Sequence, residues 1–289
     1  MTSHDKTSPE FDSEYNIYYK CPVDAHLQKK LEQIDELNRT VEQNRPLEGD
    51  LLSTIEEKLF VEWTYNSNAL EGSTLTQGET MFFLKYGLTV EGKPLKDFLD
   101  ARNHAAAIQF LYDVVKNRRD ISPALLKEFN ALLLSGVTSV SAIDRDGRKI
   151  EKRTNPGAYK ILPNHVLQLD GTIHKYVEPE QVAPQIEILC NWINQNLEIV
   201  HPVIVAAIAH YNMVRIHPFD DGNGRGTRLL MNLILLKKGL PPAIIKNEKR
   251  RFYIESLASA DKGELLPFVN LIADSCVETL EMMRRELGV

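Results

Sequence analysis

A chain of 289 residues, 43% of them hydrophobic, has material for one large core or two ordinary ones, which excludes a disordered or fibrous protein. A formal net charge of −6 and a pI near 5.8 give no basic field for collecting nucleic-acid phosphates, so no nucleic-acid partner is expected. Cys21, Cys190 and Cys276 are odd in number and far apart, which excludes a disulfide framework or paired zinc site, and no apolar run suits a signal peptide or a membrane span; a cytoplasmic setting is expected.

Residues 1–20 carry Ser, Asp, Glu and Lys with few aliphatics and read as a loosely ordered leader. Leu27, Leu31, Ile34 and Val41 then recur at helical spacing. Pro46, Gly49 and Asp50 break that series before a second one at Leu51, Ile55, Leu59 and Val61. Thr76 and Glu79 form a capping box for a helix through Leu84, and Gly87 stands where that helix should stop. Pro94 to Lys116 has Phe98, Ala101, Ala105, Ile108, Leu111, Tyr112 and Val115 on one face, and Ser122-Pro123 opens a short helix to Leu134.

Turn signals at Asp146-Gly147, Asn155-Pro156-Gly157 and Asp170-Gly171, among short runs such as His165 to Leu169 and Thr172 to Tyr176, predict one or two hairpins. Helical pattern returns over Pro179 to Leu197, Pro202 to Val214, from the glycine-rich run to Leu236, and from Leu265 onward. The expected architecture is mainly α. A loose division between Gly87 and Pro94 separates an N-terminal helical region, 21–90, from a core, 91–289.

The run His217-Pro218-Phe219-Asp220-Asp221-Gly222-Asn223-Gly224-Arg225-Gly226-Thr227-Arg228 lies between two apolar helices. Gly222 and Gly224 flank Asn223 where the second helix begins, so backbone N–H groups without intrahelical partners form an anion nest. Arg225 and Arg228, three apart on the first turn, share a face and add guanidinium donors for phosphate oxygens. Asp221 beside phosphate implies a divalent cation between them, and Mg2+ binds in that manner, through one carboxylate plus substrate phosphates. His217 has the ordinary pKa, ~6.5, that suits a general base. The P-loop and dinucleotide fingerprints are absent, which removes the kinase and Rossmann readings.

This run resembles the signature of the Fic family, His-Pro-Phe-x-Asp/Glu-Gly-Asn-Gly-Arg-x-x-Arg, at every specified position, and the similarity extends through Ala206 to Tyr211, Ile216, Arg250, Tyr253 and Leu257. The resemblance implies a compact Fic-type helical domain with a small β-hairpin flap and an N-terminal helical extension. It implies a protein adenylyltransferase that moves AMP from ATP to a Ser, Thr or Tyr hydroxyl of a target protein. His217 would deprotonate that hydroxyl and Asp221 would hold Mg2+. Asn223 and the Gly222 and Gly224 amides would hold phosphoryl oxygens, while Arg225 and Arg228 clamp the outer phosphates. Phe219 would anchor the loop, Tyr253 would neighbour the adenine ring, and the flap would lie within Tyr159 to Val166. Lys160 departs from the Arg common in the family.

Ser67-Asn68-Ala69-Leu70-Glu71-Gly72 puts a hydroxyl and a carboxylate on one helical face, with Gly72 placed to end the helix. It resembles the family's inhibitory motif, Ser/Thr-x-x-x-Glu-Gly/Asn, in the class where the inhibitory helix precedes the catalytic core. Glu71 paired with Arg228 would occupy the donors needed for the γ-phosphate. Two other functions stay open: removal of AMP from a modified protein, with Glu71 activating water, and a nucleotide-binding regulatory module without turnover. Homodimerisation also stays open. His201, His210 and His217 lack metal-site spacing, and His210 reads as packing. Arg145, Arg148, Lys149, Lys152 and Arg153 read as a solvated basic loop, and Arg148 defeats a calcium loop begun by Asp144 and Asp146.

Overall fold

A computed structural model describes residues 16–44, 49–143, 148–167 and 173–289. Its helices are α1 Ala25–Gln43, α2 Gly49–Ala69, α3 Gln77–Tyr86, α4 Leu95–Lys116, α5 Pro123–Leu133, α6 Pro179–Asn196, α7 Pro202–Ile216, α8 Asn223–Lys237, α9 Arg250–Ala260 and α10 Leu266–Leu287. Between α5 and α6 lie two antiparallel ladders: β1 Ser139–Ile143 with β2 Lys149–Arg153, and β3 Val166–Leu167 with β4 Ile173–His174.

Side-chain chemistry sets several helix ends. Asp24 accepts from the Leu27 amide at 2.7 Å and Ser122 from the Leu125 amide at 3.3 Å. Both halves of the Thr76–Glu79 capping box are formed, and Gly87 closes α3 at φ 69°. α7 is buried on almost every side because it is the central helix, packed against α6, α8 and α10. α1 lies against α10, while α2 and α4 contact each other and α8. One hydrophobic core joins Leu27 and Ile34 of α1, Ile55 of α2, Leu111 of α4, Phe129 of α5, Leu230 of α8 and Phe268 of α10, so residues on both sides of the 90/91 division share it. A smaller cluster of Leu75, Phe98 and Ala101 sits beneath α3.

Three expectations change. The leader of loose order cannot extend to residue 20, because residues 16–19 form a 3-10 turn and Tyr19 is buried with its ring 5.2 Å from Trp192. Aromatic packing outweighs the polar composition there. α9 is a further helix that no periodicity announces, because its apolar pattern is short and interrupted by Arg251 and Glu255. The hairpin expected within Tyr159 to Val166 begins only at Val166, since Asn155-Pro156-Gly157 and Pro163 keep the preceding segment irregular. Arg145, the pair Asp144 and Asp146, and the turns Asp146-Gly147 and Asp170-Gly171 lie outside the described residues. No helix among the described residues is long and apolar enough to cross a membrane, and Cys21, Cys190 and Cys276 are free thiols.

Candidate active site

The polar run forms a tight loop between α7 and α8. His217 ends α7 in the left-handed region, φ 49°, one of two such non-glycine residues among those described. That conformation turns the chain out of the helix and places Pro218 where no amide donor is needed. Phe219 is buried with its ring 5.7 Å from Tyr159. Asn223 binds the same residue twice: its Oδ1 accepts from the Phe219 amide at 2.9 Å and its Nδ2 donates to the Phe219 carbonyl at 2.8 Å. The Asn223 side chain therefore closes the loop, and the donors that could meet an anion here are the backbone amides at the start of α8. Gly222 precedes that helix at φ 74°.

The two arginines diverge instead of sharing a face. Arg225 is buried and donates from Nη1 to Asp100 Oδ1 of α4 at 2.5 Å, while its Nη2 lies 3.6 Å from Asp221. Arg228 turns to α2: its Nε donates to Ser67 Oγ at 3.0 Å, and its Nη2 donates to the Ser67 carbonyl at 2.7 Å and to Glu71 Oε1 at 2.8 Å. Burial alone would raise the Glu71 carboxyl, but Arg228, with Arg225 and Arg250 behind it, more than offsets this and holds it below the ordinary range. Its side chain is 44% exposed, so solvent screens the pair and it is weaker than a fully buried ion pair.

Gly224 locates the carboxylate. A side-chain carbon at Gly224 would overlap Glu71 Oε1 and come within 3.2 Å of Arg228 Nη1, so Glu71 rests on the first turn of α8 in a cradle only glycine leaves open. Gly72, at φ 93°, turns the chain away directly after it. The α2 end is held independently by the segment entering α9. Lys246 pairs with Glu62, the Asn247 amide donates to Asn66 Oδ1 at 2.8 Å, and Arg250 Nε donates to the Leu70 carbonyl at 3.2 Å. Glu62 and Asn66 of α2 and Leu70 just past its end are four apart and form one stripe.

Tyr253 is buried and its hydroxyl lies 3.1 Å from His210 Nε2 in the core, with Arg228 as a further neighbour. His217 is held neutral. Burial, and after it the nearby ammonium of Lys160, push its imidazole down to about 3. Asp221 is one-third exposed and borders a cleft of about 370 Å3 lined by Lys96, Ser139, Val140, Glu151 and Asp220. The accessible carboxylate of Asp221, close to the backbone amides that open α8, is chemically suited to Mg2+ arriving with phosphate oxygens, since that ion takes few protein ligands.

With this geometry in place, residues 120–235 match the model of the Fic/DOC family. The chain carries a Fic domain. It is 33% identical over 214 residues, 73% of this chain, to protein adenylyltransferase fic-1 of Caenorhabditis elegans, and 29% identical over 257 residues, 88% of this chain, to protein adenylyltransferase Fic of Culex quinquefasciatus. It spans only 38% and 47% of those two relatives. A Fic domain containing signaling protein from Bacteroides thetaiotaomicron superposes with TM-score 0.79 at 29% identity, covering 89% of this chain and 97% of that one. C. elegans Fic-1 superposes with TM-score 0.75 at 26% identity, covering 91% and 73%.

Several residues shape the Fic loop through contacts that the sequence does not signal. Asn130 of α5 donates to the Asp221 carbonyl and accepts from the Gly157 amide, both at 2.9 Å. Lys160 is buried and donates from its backbone to the Pro218 carbonyl at 2.8 Å and from Nζ to Asn164 Oδ1 at 2.7 Å; burial lowers its ammonium to about 8. Asn164 donates to the Phe219 carbonyl at 2.9 Å. Lys152, expected in a solvated basic loop, instead pairs with Asp220 at 2.6 Å and is only 21% exposed. The contacts these residues make with the loop 218–221 span more than 50 residues of sequence, and no local spacing announces them.

Proposed function

We propose that this protein is an adenylyltransferase that transfers AMP from ATP to a hydroxyl of a target protein and is held in an inhibited state by Glu71, in the turn that follows its own α2. The observation that carries this reading is the seat of Glu71. Its carboxylate rests against Gly224 on the first turn of α8 and on Arg228, the cradle and cation that a nucleotide's phosphates would use. An intramolecular anion and the outer phosphates compete for the same donors, so nucleotide binds out of line while Glu71 stays in place.

With Glu71 withdrawn, phosphates would lie along the Gly222 and Gly224 amides with Arg228 on the outermost group. Asp221 would hold Mg2+, which supplies neutralisation of phosphate charge when bound. Neutral His217 accepts the proton of the target Ser, Thr or Tyr hydroxyl as that oxygen bonds to the α-phosphorus. The bond from that phosphorus to the β-phosphate oxygen breaks, pyrophosphate leaves, and AMP stays on the target. Arg225 serves indirectly, because its guanidinium is committed to Asp100 and steadies Asp221 from behind. Tyr253 acts as support for Arg228, with its hydroxyl turned to His210.

Mass spectrometry of Glu71→Gly after incubation with ATP and Mg2+ tests the reading. A mass gain of one AMP on the protein or on an added target, absent in the double variant with His217→Ala, is the expected result. No AMP transfer by Glu71→Gly, with ATP still bound, would sink it in favour of a binding module. Glu71-dependent release of AMP from a modified protein would replace it with the reverse reaction.

A further inference from the structure

A general base needs its ring plane fixed as well as its protonation state. The second torsion of a histidine side chain is broad, so a partner outside the residue must choose the plane. In most sites that partner is a hydrogen bond to the nitrogen not used in catalysis. Here His217 Nδ1 is buried without a hydrogen bond of full geometry, although the Val214 backbone lies close enough to favour the protonated ring and oppose burial.

What does meet the imidazole is an aromatic face. Tyr176, just after β4, stacks on His217 with ring centroids 3.8 Å apart and planes inclined by 18°. Tyr176 is itself held in several ways. Its amide donates to His165 Nδ1 at 3.2 Å, His174 packs edge-on to its ring at 4.7 Å, and Lys160 Nζ stands 5.9 Å from its centroid. His174 lies 3.9 Å from Asp261 at the end of α9, and Asp261 accepts from the Tyr211 hydroxyl at 3.0 Å, so the strand carrying Tyr176 is tied to the helical body.

The geometry points to Tyr176 as the positioning residue of the general base: its ring, clamped through β4, sets the plane of the His217 imidazole and shields one face from water. This deepens the adenylyltransferase reading and rests on it for the identity of the base. The contact itself does not depend on that reading. A stacked neighbour acts on kcat, because orientation matters in the transition state, and leaves nucleotide binding alone. The groups that set the charge around the imidazole, Lys160, His174 and the Val214 backbone, stay in place when Tyr176 is changed.

The test compares Tyr176→Phe, Tyr176→Leu and Tyr176→Ala, each in the Glu71→Gly background, for AMP transfer and for the proton resonances of His217 in the intact protein. Leu keeps apolar bulk without a ring face, so it separates stacking from mere filling. The expected result is a kcat reduced roughly 10- to 100-fold in the Leu and Ala variants at unchanged KM for ATP, with Phe close to its parent. The upfield ring-current displacement of the His217 protons should disappear in the same two variants, and the acid limb of the pH profile should move upward as the imidazole is rehydrated. Leu or Ala variants that match or exceed the Phe variant in kcat would overturn the proposal. If Glu71→Gly transfers no AMP at all, the adenylyltransferase reading fails separately, and an absent ring-current displacement in the unmodified protein still overturns the placement of Tyr176.

Discussion

Arg228 and Arg225 stand three residues apart, yet their partners give them different consequences. Arg225 and Asp100 are 3% and 7% exposed, so this pair is buried on both sides. Asp100→Ala should leave an unpaired guanidinium in the core and destabilise the fold by about 3–5 kcal/mol, as read by denaturant unfolding. A loss under ~1 kcal/mol would mean that Arg225 finds another anion, with Asp221 the nearest candidate. Glu71 pairs with Arg228 from a partly exposed position, and Ser67 keeps its bonds to the guanidinium when the carboxylate is removed. Glu71→Gly should therefore raise AMP transfer at little cost in stability. His217→Ala should lower transfer in that background by about 10²- to 10⁴-fold, the usual scale for a general base.

At the level of elements, α2 is fastened twice: by Arg228 from α8, and by the stripe Glu62, Asn66 and Leu70 against residues 246–250. Removing the second fastening should loosen the helix end without touching the phosphate cradle. In Asn66→Ala combined with Arg250→Ala, amides of the last α2 turn should exchange with solvent faster, while those of α7 and α8 keep their protection. Exchange that rises equally in all three helices would show that the stripe supports the whole core. Gly224→Ala acts on the first fastening. The new carbon meets the mobile end of Glu71, so the carboxylate should be displaced, and its pKa should return upward in a carbon NMR titration.

For the whole molecule, the buried imidazoles set the response to acid. His104 and His210 are held well below their ordinary value by burial first and by Arg228 besides, and His217 is pushed down to about 3. In each case the folded pKa is depressed, so below ~6.5 the unfolded chain takes up protons that the folded chain refuses. Stability should thus be undiminished by these groups above about pH 7 and fall as pH drops from ~6.5 toward 3. The Glu71 pair contributes in the same direction, since it is present above the ordinary carboxylate pKa and lost as pH falls through its lowered value. Calorimetric Tm measured from pH 7.5 to pH 5 checks this; a flat profile would contradict it. Ile34→Ala, where α1 is fully buried, should cost about 2–5 kcal/mol and leave kcat of the folded fraction unchanged.

Much of this molecule could be read along the chain, where the physics is local. The helical spacing of Leu27 to Val41, the Thr76–Glu79 cap, and the glycines and asparagine that shape the loop after His217 each act through neighbours a few residues away. For the same reason the closeness of Ser67 to Glu71, both of which meet Arg228, could be read from their spacing. Only the tertiary structure decided where long side chains end. It sent Arg225 to Asp100 and Arg228 to Glu71, brought Lys152 to Asp220, and laid Tyr176 on His217. Those partners come from helices and strands distant in sequence. Their selection rests on burial and on the satisfaction of charge in three dimensions, which no spacing along one chain encodes.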